Sequence, residues 1–112
     1  MENSKLQILE KILNLNQLLK NNPDKYNCLY FSATWCGPCK KILPTVLELS
    51  NEHKEKMIFT KIDIDDYGDL QEECKVECLP TFLIYDKNGV QVDKIEGCNG
   101  STLSMKCELL LN

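Results

Sequence analysis

Two cysteines stand three positions apart in Trp35-Cys36-Gly37-Pro38-Cys39-Lys40, directly after a run of apolar and aromatic residues. That position predicts the start of a helix at the end of a buried strand. On a first helical turn, residues i and i+3 lie about 5–6 Å apart, the separation at which a disulfide closes. The helix start also offers unpaired N–H groups and a partial positive charge, both of which favour an anion. Cys36 is therefore expected to have a lowered pKa and to act as the nucleophilic thiolate. Cys39, one turn deeper, is placed to attack a mixed disulfide formed at Cys36. Pro38 fits because a first-turn residue needs no helical donor. Gly37 leaves the backbone open to an approaching substrate, and Trp35 supplies a flat apolar surface beside the sulfur.

Two other readings of these cysteines are weaker. A zinc site would join Cys36 and Cys39 to Cys74 and Cys78, but structural knuckles are usually separated by about 12–20 residues, and this gap is well beyond that. Ordinary buried cysteines behave as small hydrophobes, which suits Cys28 and Cys107 on their apolar faces. It does not account for a pair flanked by Trp, Gly and Pro. A redox dithiol is the better reading, with no metal and no bound cofactor expected. His53 lies near a helix end and reads as a solvated side chain. Asp63, Asp65, Asp66, Asp69, Glu72 and Glu73 lack the ligand order of a calcium loop and read as a solvated acidic face.

The elements that must hold the dithiol follow from hydrophobic period. Residues 5–9 alternate weakly and fit either a short strand or the first turn of a helix. Ile12, Leu13, Leu15, Leu18 and Leu19 recur at helical spacing over 10–20, and Asn21-Asn22-Pro23-Asp24 closes that helix. Residues 26–33 form a continuous apolar run, as in a central strand covered on both faces. A helix over 36–53 buries Ile42, Leu43, Val46, Leu47 and Leu49, and Pro44 should kink it by removing a donor. A second strand is predicted over 57–64, a short acidic helix over 65–75, and a third strand over 81–85. Asn88-Gly89 predicts a two-residue hairpin turn into a strand over 90–95. A last helix over 101–111, capped by Ser101, puts Leu103, Cys107 and Leu110 on one face. Strands alternating with helices before a final hairpin imply a mixed α/β sheet with helices on both sides.

Composition narrows the functional classes. The chain has 112 residues, 43% of them apolar, enough for one hydrophobic core and too many for a disordered chain. One domain over residues 1–112 is expected. No run approaches the roughly 20 apolar residues of a membrane span. All 13 basic residues are lysines and the formal charge is −4, a poor basis for nucleic-acid binding. An odd count of seven cysteines and no leader-like run of residues set the expectation of a reducing, cytoplasmic setting.

The segment Trp35-Cys36-Gly37-Pro38-Cys39-Lys40 resembles the signature of the thioredoxin family, and the likeness extends over nearly the whole chain. Val76-Glu77-Cys78-Leu79-Pro80-Thr81 resembles the family's second landmark, whose proline follows a cis peptide bond opposite the active cysteines. Lys61-Ile62-Asp63-Ile64-Asp65 is similar to its central strand, Gly97 to the glycine before its last helix, and Pro44 to its helix-kinking proline. The resemblance implies a thioredoxin fold and a protein-disulfide reductase. In the implied cycle Cys36 attacks a partner's disulfide and Cys39 resolves the intermediate. An NADPH-dependent thioredoxin reductase then returns the dithiol, and disulfide-containing client proteins are the other partners. It also implies a substrate groove of Trp35, Gly37, Pro38, Leu79, Pro80, Gly97 and Cys98.

One departure stands out. The family has a buried aspartate five residues before the tryptophan, and this chain has Tyr30. A phenol with a reference pKa near 10 is a poor base at neutral pH, so slower release of the mixed disulfide is expected. The same substitution leaves open a different class, a binding or adaptor protein with weak turnover. Lys61, which faces that aspartate in relatives, is expected to pack its stem and reach water with its head group. Animal thioredoxins resemble this chain in carrying cysteines at the positions of Cys74 and Cys78, which implies redox regulation. The chain is expected to be mainly a monomer, with an oxidised dimer through Cys78 or Cys98.

Overall fold

The computed structural model describes residues 6–8 and 14–112. Its centre is strand β2 (Tyr26–Ser32), in which every residue after Tyr26 is buried. On one side β2 pairs in parallel with β3 (Met57–Asp63), which pairs in parallel with β1 (Gln7–Ile8). On the other it pairs antiparallel with β4 (Thr81–Tyr85), followed by antiparallel β5 (Gln91–Glu96). The sheet order is β1-β3-β2-β4-β5, a mixed five-stranded sheet.

Alternation along β2 builds two cores. Cys28 and Tyr30 face the helices α2 (Gly37–Glu52) and α4 (Gly100–Leu111), packing with Ile42, Val46, Phe59, Phe82, Leu103 and Cys107. Leu29 and Phe31 face the other way, toward α1 (Leu15–Lys20) and α3 (Gly68–Glu73), and pack with Leu18, Ile62, Leu70, Val76 and Leu83. Because successive strand residues point to opposite faces, a strand covered on both sides is apolar at most positions, with Asn27 and Ser32 the buried polar exceptions in β2. In α2 the buried residues Cys39, Ile42, Val46 and Leu49 form one helical stripe. Pro44 lies inside the helix on its exposed side, where its missing N–H leaves no buried group unpaired.

The expected elements are all found, with four corrections. Asn14 holds an extended backbone and caps α1, accepting from the Gln17 N–H at 2.8 Å while the Gln17 side chain accepts from the Asn14 N–H. The helix expected over 10–20 therefore starts at Leu15, because a capping box ends what an apolar repeat would extend. Its first turns, residues 10–13, lie outside the described residues, as do positions 5 and 9 beside β1. The acidic helix shrinks to six residues at Gly68–Glu73. Asp63 takes the Asp65 N–H ahead of it, and Lys75 closes it with a left-handed φ of 57°.

The hairpin before β5 has a longer loop than the two residues expected. Asp86 and Val90 pair across it, and the Asp86 carboxylate accepts from the Asn88 and Val90 N–H groups. Only Gly89 has positive φ (81°), whereas a two-residue type I′ turn needs it at both central positions. The last helix begins at Gly100 with Asn99 as its N-cap, so Ser101 lies within the first turn and is not the cap. The Asn99 side chain instead donates back to the Glu96 carbonyl at 2.8 Å.

Candidate active site

The C-terminal ends of β2 and β3, the start of α2 and the loop before β4 meet at one edge of the sheet. Cys36 is the N-cap of α2, with extended φ and ψ of −89° and 111°, and its Sγ accepts the Cys39 N–H at 3.2 Å. The two cysteines are joined by a disulfide, with Cα atoms 5.3 Å apart. The geometry expected from the i, i+3 spacing is thus realised. Pro38 sits in the first turn, where helical donors are free anyway. Both cysteines are nearly enclosed (6% and 2% exposed) and rest on Ala33, Ile64 and Leu79.

Access to Cys36 is by a cleft of about 490 Å³ lined by Trp35, Cys36, Gly37, Pro38, Ile64, Gln71, Glu77, Cys78 and Leu79. A methyl group built on Gly37 would meet nothing within 4 Å, so that side of the sulfur is open. Trp35 is 65% exposed and is steadied by its indole N–H, which donates to Asp65 Oδ2 at 3.0 Å. Of the seven groove residues expected, Trp35, Gly37, Pro38 and Leu79 line this cleft. Pro80, Gly97 and Cys98 lie outside its wall, but the Leu79–Pro80 peptide is cis, as the resemblance implied. The Pro80 carbonyl accepts the Gly97 N–H at 2.8 Å, which joins the two loops. Gly97 has a φ of 89°, a conformation that favours glycine.

Sequence reasoning missed Ile64, Gln71 and Glu77 in the cleft, and Asp65 as the partner of Trp35. The available signal was position. Asp65 follows a central parallel strand at its carboxyl end, the edge where open α/β sheets place their sites.

Tyr30 lies beneath α2, 1% exposed, stacked on Phe82 with ring centroids 4.9 Å apart and planes 9° apart. Its hydroxyl donates to the Cys39 carbonyl at 2.8 Å. Burial pushes the Tyr30 phenol up to about 12. It is therefore a hydrogen-bond donor to the active-site turn and not a base. Lys61 is the ladder neighbour of Tyr30 across β2 and β3 and is half-buried.

The remaining cysteines divide by exposure. Cys78 and Cys98 are exposed, and Cys78 belongs to the cleft wall. Cys74 packs against the α1 and α3 core, where burial and then Glu73 push its thiol up to about 11. Burial thus disfavours its thiolate, the reactive form. Cys28 and Cys107 are fully buried and protonated, the Cys107 thiol being raised to about 12 by burial, then by Glu52 and Glu108. His53 departs from the expectation of a solvated residue, since its side chain is only 9% exposed.

Known proteins with this sequence pattern and shape agree on its chemistry. A family model described as thioredoxin matches residues 9–108. A thioredoxin of Ictalurus punctatus is 41% identical over 99 residues, covering 88% of this chain and 92% of its own. A thioredoxin of Homo sapiens is 44% identical over 80 residues, covering 71% of this chain and 74% of its own. The structure of a reduced thioredoxin from Schistosoma mansoni superposes with a TM-score of 0.87 at 30% identity, over 96% of this chain and all of that one. A binding or adaptor protein with weak turnover is not favoured, because the chain's relatives are thioredoxins and its cysteine pair stands at bonding distance. This chain belongs to the thioredoxin family and is a thiol–disulfide oxidoreductase that reduces protein disulfides.

Proposed function

We propose that the chain works as a cytoplasmic, one-domain electron carrier between an NADPH-dependent thioredoxin reductase and disulfide-containing client proteins. The observation that carries this reading is the Cys36–Cys39 disulfide at the capped start of α2, with one sulfur facing an open cleft. In the reduced protein the Cys36 thiolate would sit where the Cys39 N–H and the helix dipole favour negative charge. It attacks one sulfur of the client disulfide, so a Cys36–client bond forms and the client S–S bond breaks. The first client sulfur leaves as a thiolate and takes a proton from water.

Cys39 then loses its proton and attacks Cys36 Sγ, which forms the bond seen in this structure and breaks the Cys36–client bond, so the second client sulfur leaves as a thiolate and takes a proton from water. Two electrons pass from the dithiol to the client, and the reductase replaces them. With Tyr30 unable to accept the Cys39 proton, water is the acceptor, and release of the mixed disulfide is the slow step. The groove of Trp35, Gly37, Pro38, Leu79, Pro80, Gly97 and Cys98 receives an extended client segment. Backbone pairing beside Pro80 would supply affinity with little side-chain selectivity. Lys61 serves as a packed neighbour of Tyr30. The reduced protein is a monomer, and Cys78 or Cys98 links two copies on oxidation, with Cys74 held in reserve by burial.

The test is insulin reduction coupled to NADPH oxidation by a thioredoxin reductase. The wild type turns over; Cys36→Ser abolishes turnover; Cys39→Ser accumulates a mixed disulfide with the client. NADPH oxidation that survives Cys36→Ser overturns the assignment.

A further inference from the structure

The far end of α2 carries a second group of side chains that the redox cycle does not use. His53 is the C-cap of α2, and its backbone is fully engaged. The N–H donates to the Leu49 carbonyl at 3.0 Å, and its own carbonyl accepts the Lys56 and Met57 N–H groups at 2.9 Å each. The side chain has little room, being 91% enclosed by the 9% exposure given above. Its Nε2 is buried and makes no hydrogen bond. What it faces is negative. Glu52 Oε2 stands 3.9 Å away, too far for a hydrogen bond, and Glu108 reaches in from α4. The three ligand-type atoms lie within 4.8 Å of one another.

A buried imidazole nitrogen with no hydrogen bond, in ion-pair reach of Glu52 and close to Glu108, forms with them a set of electron-pair donors whenever the ring is neutral. The surroundings strengthen that imbalance. A helix C-terminus carries partial negative charge, and neither α2 nor α4 has a basic residue in its last turn. Lys56 is turned to the Leu111 carbonyl at 2.8 Å, and among the described residues no lysine pairs with Glu52 or Glu108.

We propose that His53 Nε2 and one oxygen each of Glu52 and Glu108 bind a divalent first-row transition ion of the Zn²⁺ type, clamping the C-terminal ends of α2 and α4 together. One imidazole and two carboxylates suit such an ion, with water filling the open position. Bonds of about 2.0–2.1 Å place tetrahedral ligands roughly 3.3 Å apart, so the exposed glutamates need to swing inward by about 1 Å. His53 supplies the fixed member. The 16 residues of α2 put this site roughly 24 Å from the dithiol, so binding is independent of the reductase reading.

Co²⁺, a paramagnetic substitute for Zn²⁺, tests the site when titrated into the ¹⁵N-labelled, oxidised full chain. The expected result is one ion per chain, with pseudocontact shifts centred on residues 52, 53 and 108 and reversed by adding Zn²⁺. His53→Gln and Glu108→Gln should each weaken Co²⁺ binding at least tenfold while the remaining amide spectrum is kept. Glu108 is exposed, so its variant reports even where His53→Gln perturbs the fold. Shifts centred on the acidic residues 63–73 or on the free cysteines, an absence of shifts, or unchanged affinity in both variants overturns the proposal.

Discussion

Replacing Tyr30 separates what its ring does from what its oxygen does. Tyr30→Phe keeps the stack on Phe82 and deletes one atom, the hydroxyl oxygen 2.8 Å from the Cys39 carbonyl. Leaving a buried acceptor short of a partner costs about 1–3 kcal/mol. For a chain of this length that corresponds to a melting temperature lower by roughly 3–15 °C. The effect on proton transfer should be nil. With the phenol at about 12, about one molecule in 10⁵ carries a phenolate at pH 7, so the hydroxyl is no acceptor to lose. Tyr30→Asp is the converse change, since it forfeits the stack and the bond but introduces a carboxylate within the same enclosed space. Stopped-flow decay of the client mixed disulfide, followed from pH 5 to 9, reads both variants against the wild type. Tyr30→Phe should leave the pH midpoint of that decay in place, and Tyr30→Asp should speed the decay near neutrality despite lower stability. A midpoint displaced by half a unit or more in Tyr30→Phe would show the phenol exchanging protons and refute the argument. Equal decay in Tyr30→Asp and wild type at every pH would remove the claim that the missing carboxylate slows release.

Peroxide treatment should give a covalent dimer on non-reducing electrophoresis, diminished by Cys78→Ser or Cys98→Ser and absent from the double variant; a dimer that survives both changes places the link elsewhere. Stability should fall as pH rises above about 9, because the unfolded chain then releases thiol protons that the folded chain keeps on Cys28 and Cys107, and the loss runs on until Cys107 itself ionises near 12. Urea unfolding of the reduced protein at pH 7, 9 and 10.5 measures this, and Cys107→Ala should flatten the decline; stability constant or rising over that range contradicts it. Phe59→Ala empties a fully buried position in the core beneath α2 and α4 and should cost about 3–5 kcal/mol, read as a shift in the urea midpoint.

The dithiol was legible because its chemistry is local. Cys36 and Cys39 need only one helical turn to meet, and Gly37 and Pro38 mark that turn in the sequence. The central strand was nearly as plain, since both its faces are covered and only Asn27 and Ser32 interrupt its apolar run. Capping was less visible. Asn14 with Gln17 and Asp86 with Asn88 and Val90 are side-chain to backbone bonds, and these moved the start of α1 and lengthened the hairpin loop without altering the apolar pattern. Least legible were contacts between elements distant in sequence. Nothing near Trp35 signals that its indole N–H will find Asp65, and nothing near His53 signals that α4 will bring Glu108 beside it.

The cysteine pair rests on a small apolar floor, Ala33, Ile64 and Leu79, of which Ile64 and Leu79 also pack against the core under α1 and α3. Natural variation in the interior therefore acts on two traits at once. Changes deep under either sheet face alter how much of the protein survives in a cell, and at Tyr30 they also reach the carbonyl of the redox turn. Changes in that floor adjust how readily each copy trades electrons, and through Ile64 and Leu79 they lower abundance as well.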